Sequence, residues 1–237
     1  MNHLPLALLA VLLAAPATAQ SFTGTLGPES ARRDFGEPYA IHEFDAEQGQ
    51  AVTIDLTSDA FDTYLIVRSP SGMEWVNDDY DFATDRSHVE LVAPEAGTWQ
   101  VYASAFDEAA AGAYALEVTL GEVAEIETVP GRLEFTDPQL VKGEFVDTFT
   151  IDPPDAGTFT VELLAQGFDG FLRVTAPSGA QWRNDDAEGA SDASISRVRD
   201  LPAEPGEWTV DVTSYGAEET GDYVVNLIVP PQEEEAE

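Results

Sequence analysis

The chain has 237 residues, 43% of them hydrophobic, with 45 acidic against 10 basic residues and a formal net charge of −35. Length and apolar content allow one or two packed domains. The charge argues against nucleic acid and anionic membrane surfaces as partners, and the absence of cysteine excludes disulfides and thiolate metal sites.

The first element is Leu4 to Ala15, an apolar run of 12 residues, followed by Ala17-Thr18-Ala19. Spanning a bilayer takes about 20 residues. The small-x-small tripeptide before Gln20 therefore reads as the cut of a secretory signal peptide, residues 1–19, although the leading Met-Asn-His lacks a basic residue. The expected location is periplasmic or extracellular, with no membrane insertion after cleavage.

Two later stretches repeat each other. SPSGMEWVNDDYD runs from Ser69 to Asp81 and APSGAQWRNDDAE from Ala176 to Glu188. Asp62 recurs as Asp169, Trp75 as Trp182 and Asp78 as Asp185, a shift of about 107 residues, too long for a solenoid repeat and suited to two whole domains. Further on, Gly97-Thr98-Trp99 matches Gly206-Glu207-Trp208, and Gly112-Ala113-Tyr114 matches Gly221-Asp222-Tyr223. Positions apolar in both copies alternate: Leu65 and Val67 with Leu172 and Val174; Trp99, Val101 and Ala103 with Trp208, Val210 and Val212; Tyr114, Leu116 and Val118 with Tyr223, Val225 and Leu227. Period two marks half-buried strands, and Pro/Gly turns separate them. The chain is thus expected to be all-β: two tandem antiparallel β-sandwiches, residues 20–122 and 129–229, each with about 7–9 strands. A charged linker at 123–128 joins them and an acidic tail, 230–237, is expected to be disordered.

Each repeat resembles the bacterial pre-peptidase C-terminal domain family. Repeat one supplies Gly24-Thr25-Leu26, Gly36, Phe61 to Leu65, Pro70-Ser71-Gly72, Asn77-Asp78-Asp79, Gly97-Thr98-Trp99 and Gly112 to Leu116. Repeat two supplies Gly131-Arg132-Leu133, Gly143, Phe168 to Leu172, Pro177-Ser178-Gly179, Asn184-Asp185-Asp186, Gly206-Glu207-Trp208 and Gly221-Asp222-Tyr223. Trp99 and Trp208 stand where the family has Tyr, and Gly170-Phe171 replaces Thr-Tyr. The resemblance implies a jelly-roll-like sandwich without catalysis of its own, usually carried behind a secreted hydrolase; some relatives bind calcium or matrix polymers. No protease domain lies within this sequence, so the two domains are expected to act alone or on a separately made partner.

The residues point the same way on catalysis. The mature chain has two histidines, His42 and His88, neither repeated; it has no Gly-x-Ser-x-Gly elbow, no HExxH helix motif and no phosphate loop. The acidic motifs have two readings. Asn and Asp cap turns. Alternatively, they hold a hard cation such as calcium, which takes six to eight oxygens: Asp62, Asn77, Asp78, Asp79, Asp81 and Asp85 in repeat one; Asp169, Asn184, Asp185, Asp186, Glu188 and Asp192 in repeat two. In either reading the repeated stretch is expected to form one corner per domain, a Pro-Ser-Gly turn and a Trp lid beside the aspartates. Trp75, Trp182, Phe106 and Tyr215 are either end caps of the cores or exposed platforms for a sugar or peptide. The expected function is an exported, non-catalytic binding or accessory module engaging a secreted protein or extracellular polymer. The alternatives are a passive, salt-adapted acidic surface protein and, least favoured, a hydrolase.

Overall fold

The computed structural model describes residues 17–187 and 194–231. Residues 1–16 of the expected signal peptide, the tail from 232, and Glu188 and Asp192 lie outside the described residues. The first repeat contains β1 (Thr18–Leu26), β2 (Ala31–Arg32), β3 (Pro38–Ala46), β4 (Gln50–Thr57), β5 (Thr63–Arg68), β6 (Glu74–Asn77), β7 (Arg86–Val92), β8 (Gly97–Ala105) and β9 (Gly112–Val123). The second contains β10 (Glu125–Leu133), β11 (Val146–Ile151), β12 (Thr158–Gln166), β13 (Gly170–Thr175), β14 (Gln181–Asn184), β15 (Ile195–Pro202), β16 (Trp208–Ser214) and β17 (Gly221–Val229).

Every ladder between these strands is antiparallel. The first sandwich pairs sheet β1-β9-β4-β7 with β2-β3-β8-β5-β6, the second β10-β17-β12-β15 with β11-β16-β13-β14. Leaving out the two-residue β2, each repeat has eight strands whose sheets run first-eighth-third-sixth and second-seventh-fourth-fifth. That order is a jelly roll. It gathers the β1–β3, β4–β5, β6–β7 and β8–β9 loops at one end and the β3–β4, β5–β6 and β7–β8 turns at the other.

The alternation read from sequence is the packing. In β4, Val52, Ile54 and Leu56 are fully buried while Thr53, Asp55 and Thr57 face outward. The first core gathers such residues around Trp99, the second around Trp208 and Phe159. The expected linker is not a linker. β9 runs to Val123, β10 starts at Glu125, and the Ala124 N–H between them donates to the Gly49 carbonyl at 2.8 Å. Its acidic residues are compatible with strand because Glu122, Glu125 and Glu127 point to solvent. Likewise β1 starts two residues ahead of the expected cut, with Thr18 opposite Leu120 and Ala19 opposite Thr119.

The two sandwiches differ on one outer face. On β9-β4-β7 of the first, the outward residues include Asp55, Thr57, Arg86, His88 and Ala115. The matching residues of the second are Glu162, Leu164, Ile195, Arg197 and Val224. Leu164 and Ile195 are buried at 3% and 2% exposure against the core cluster of the first sandwich, and Val224 packs beside them. Glu162 and Arg197 form a buried ion pair, Nε–Oε1 2.8 Å, and Arg197 also donates to the Glu90 carbonyl of the first sandwich at 3.4 Å. The β5–β6 hairpin of the first repeat thereby meets the loop end of the second. Between them lies a cleft of about 690 Å³ lined by Ser71, Met73, Trp75, Gln166, Asp169 and Glu219, among others.

Candidate functional site

The repeated stretch is a turn, a strand and a turn. Pro-Ser-Gly and Asn-Asp-Asp lie at opposite ends of β6, about 13 Å apart at 3.3 Å per residue, so the single corner expected from sequence does not form. At the Pro-Ser-Gly end, Gly72 N–H donates to the Ser69 carbonyl at 3.0 Å and Ser71 N–H to Glu95 Oε1 at 2.9 Å. Repeat two copies this with Gly179 to Ala176 at 2.8 Å and Ser178 to Glu204 at 2.7 Å. Pro70 packs on Gly97 and Pro177 on Gly206, so Pro-x-Gly and Gly-x-Trp are two halves of one contact. Burial pushes the Glu95 pKa up, but hydrogen bonds from Ser69 and Ser71 outweigh it and hold the carboxyl below its ordinary value.

At the other end the asparagine does the tying. Asn77 Oδ1 accepts the His88 N–H at 3.0 Å, and Asn184 Oδ1 accepts the Arg197 N–H at 2.8 Å. Ser87 Oγ donates to the Asp78 carbonyl and Ser196 Oγ to the Asp185 carbonyl, both at 3.0 Å. Asn184 Nδ2 donates to the Asp186 carbonyl at 2.8 Å. Asp78 Oδ1 accepts only the next N–H, that of Asp79, at 3.1 Å. The asparagine bonds close the β6–β7 and β14–β15 loops onto their following strands. Neither Glu95, Glu204 nor the two buried serines stood out in the sequence, although each recurs in the internal alignment.

Asp62 sits beside this loop. Its Oδ1 is out of contact with solvent and has no hydrogen-bond partner. Burial, then the charges of Asp79, Asp107 and Asp78, raise its pKa. Asp81 and Asp85 point to solvent: Asp81 is in the Tyr80–Ala83 turn, and the Asp85 carbonyl accepts the Ser58 N–H at 3.0 Å. In repeat two the Asp169 N–H donates to Glu219 Oε2 at 3.3 Å. Among the described residues, no three His, Asp or Glu side chains are arranged to hold a metal ion.

The four aromatic candidates separate. Trp75 is buried at 3% exposure, tilted against Trp99 with ring centroids 5.4 Å apart, so it is no platform. Its burial is completed by the second sandwich at the cleft. Trp182, with no such neighbour among the described residues, is half-buried and stacks on Trp208 at 5.9 Å. Phe106 and Tyr215 are exposed, at matching places: their N–H groups donate to the carbonyls of Asp62 at 3.0 Å and Asp169 at 2.9 Å. The structure adds Phe35, Phe82, Phe135 and Val141, all exposed in loops at the same end. Their signal in the sequence was an apolar side chain among charges and outside any alternation, as in Arg33-Asp34-Phe35-Gly36 and Asp81-Phe82.

The two histidines are held by neighbouring side chains. His42 Nε2 lies 2.9 Å from the Tyr114 hydroxyl, and burial lowers its pKa. His88 Nδ1 lies 3.0 Å from Asp55, but the neighbouring Ser87 is fully buried and its Oγ is bonded to Thr63 and Asp78, so Ser87 and His88 form no relay.

No protein-family model matches the sequence and no curated protein is significantly similar to it. Among solved structures, the major capsid protein P2 of bacteriophage PM2 is similar with 11% identity and a TM-score of 0.33, over 91% of this chain and 99% of that one. The PBSX exported protein XepA has 8% identity and a TM-score of 0.29, over 90% and 86% of the chains. PA5104 from Pseudomonas aeruginosa PAO1, a conserved protein of unknown function, has 13% identity and a TM-score of 0.28, over 91% and 100%. Likeness at these scores carries no functional weight; the jelly-roll assignment rests on the strand order.

Proposed function

We propose that the protein is an exported, non-catalytic binding module of two domains akin to the pre-peptidase C-terminal domain, engaging a secreted protein or extracellular polymer through the loop ends of its sandwiches. One observation carries this reading. Among the described residues, six of the seven exposed large apolar side chains project from loops at the same end of their sandwich: Phe35, Phe82 and Phe106 in the first, Phe135, Val141 and Tyr215 in the second. The seventh, Ile41, lies in β3. Exposed aromatics held on a rigid scaffold are what a binding surface needs, and solubility alone would select against them. Export rests on residues 1–19, and the lack of catalysis on the committed state of His42, His88 and Ser87.

The test is capture from the concentrated culture fluid of the source organism, and from a panel of polysaccharides, by wild type and by a Phe35→Ser, Phe82→Ser, Phe106→Ser variant with unchanged circular dichroism. A ligand held by wild type and lost by the variant is the expected result. Equal capture by both sinks the loop-end reading, and turnover of chromogenic esters, peptides or glycosides sinks the non-catalytic one.

A further inference from the structure

We infer that the loop end of the first sandwich is a docking surface for a basic, apolar segment of a partner protein, with a lysine or arginine seated at Asp62 and apolar neighbours against Phe35, Phe82 and Phe106. This deepens the binding-module reading and rests on it.

Hydrogen bonds join the loops into one surface. Phe106 N–H donates to the Asp62 carbonyl at 3.0 Å, and Thr63 N–H to the Thr84 carbonyl at 2.8 Å, which brings the Phe82 turn to the start of β5. Arg32 Nη1 donates to the Gly36 carbonyl at 2.9 Å and the Glu108 carbonyl at 2.7 Å, tying the turn that carries Phe35 to the loop that carries Phe106. The Tyr64 ring, 6.4 Å from that of Phe106, has the Arg33 guanidinium over it at 4.1 Å.

The charge on this surface is unbalanced. Asp62 meets the fields of Asp79, Asp107 and Asp78; its Oδ1 is sealed from solvent without a partner, so a cation would meet the carboxylate through Oδ2. The nearby cations are held away from Asp62: Arg32 by three backbone carbonyls, Arg33 over Tyr64, and Arg86 by Asp55 at 2.8 Å; Arg32 and Arg33 keep their charge, but Asp62, Asp78, Asp79 and Asp107 outnumber them. A cationic side chain arriving with apolar neighbours would relieve the repulsion and cover the phenylalanines together; a purely apolar partner would do only the second, and an anionic one would add to the repulsion.

A second copy of the chain fits poorly. The loop end of the second sandwich receives the β5–β6 hairpin of the first through Leu164, Ile195 and Val224. The corresponding residues of the first sandwich are Thr57, Arg86 and Ala115, so the apolar seat is missing there. Two chains of net charge −35 also repel.

The experiment titrates the full mature protein into a short fluorescent peptide of lysine and leucine and reads anisotropy. Wild type is expected to bind, more weakly as salt rises. Phe82→Ser with Phe106→Ser leaves the charge unchanged and should weaken binding about tenfold or more, as loss of aromatic anchors does. Asp62→Asn should weaken it severalfold. Glu122→Gln, Glu125→Gln and Glu127→Gln together, three exposed charges at the far end, should change it by less than about twofold. Equal weakening by the far-end triple means bulk attraction only and overturns the proposal. Equal binding of a lysine–serine or glutamate–leucine peptide also overturns it. So does calcium alone raising the melting temperature of wild type but not of Asp62→Asn while displacing the peptide, because the carboxylates then hold an ion. Self-association in sedimentation that the Phe→Ser pair abolishes would assign the surface to a second copy. If no peptide binds but the culture-fluid ligand is still lost on removing the three phenylalanines, the basic partner falls and the binding module stands.

Discussion

The side-chain carbonyl of Asn77 accepts the backbone N–H of His88 at 3.0 Å, eleven residues on, and Asn184 repeats the bond with Arg197 at 2.8 Å. Asn77 is buried, so its loss strands a buried donor. Asn77→Ala should destabilise the protein by about 1–3 kcal/mol. Asp78→Ala, which removes only a bond to the next residue, should cost less than about 1 kcal/mol. Urea melts of the two variants check this; equal losses would return the weight of the motif to its aspartates.

Gly97 and Gly206 have φ of +143° and +130°, and a Cβ on either would come within 2.8 Å of Pro70 or 2.7 Å of Pro177. Gly97→Ala should cost more than about 1 kcal/mol, because both backbone and space are wrong for it. Adding Pro70→Ala relieves the clash but not the backbone. The double variant should therefore be less destabilised than the sum of the singles, in thermal melts of all three.

The interface between sandwiches is testable by transplanting the first repeat's residues. Leu164→Thr with Ile195→Arg places on the second sandwich what Thr57 and Arg86 are on the first. Each apolar side chain returned to water removes about 1.5–3 kcal/mol. Calorimetry should show the melt separating into two transitions, and small-angle scattering a larger radius of gyration. Arg197→Ala should cost about 3–5 kcal/mol by leaving Glu162 buried and unpaired.

Two carboxyls should respond to pH in opposite directions. The folded pKa of Asp62 is raised above 3.8. Between 3.8 and that higher value the native state holds the extra proton, so its contribution falls as pH rises through this window, and the penalty is complete above it. Asp62→Asn should raise the melting temperature at neutral pH and give no advantage near about pH 3. The folded pKa of Glu95 is lowered below 4.5, so its contribution is full above 4.5 and fades as pH falls through the folded value. Glu95→Gln should lower the melting temperature at neutral pH and matter little in acid. Two variants with the same pH profile would contradict both assignments.

At net charge −35, self-repulsion should be screened by modest salt, the Debye length being about 10 Å at 0.1 M. The melting temperature is expected to rise with NaCl and level off at a few tenths molar. A climb continuing into molar salt would favour the passive, salt-adapted reading over the binding module.

Much of the fold was legible because strand alternation is local. Leu65, Val67, Trp99 and Val101 faced inward in the pattern, and they are fully buried. The duplication supplied a second copy against which to check each position. The linker was misread because charge was taken as a sign of loop, whereas an exposed strand face accepts charge as readily. The site was only half legible: Phe106 and Tyr215 were singled out, but Phe35 and Phe82 sit in loops, where no periodicity says which way a side chain points.

The sequence by itself determined the two domains, their strand alternation and the motifs that recur. Those follow from which residues lie next to one another and how often. Only tertiary structure decided that Pro-Ser-Gly answers Glu95 and Gly97, that Asn77 rather than Asp78 ties the loop, and that Trp75 is sealed while Trp182 is not. The two tryptophans stand in the same motif. Their burial differs because one of them faces a second sandwich, and burial depends on everything packed around a residue, including chain roughly a hundred residues away.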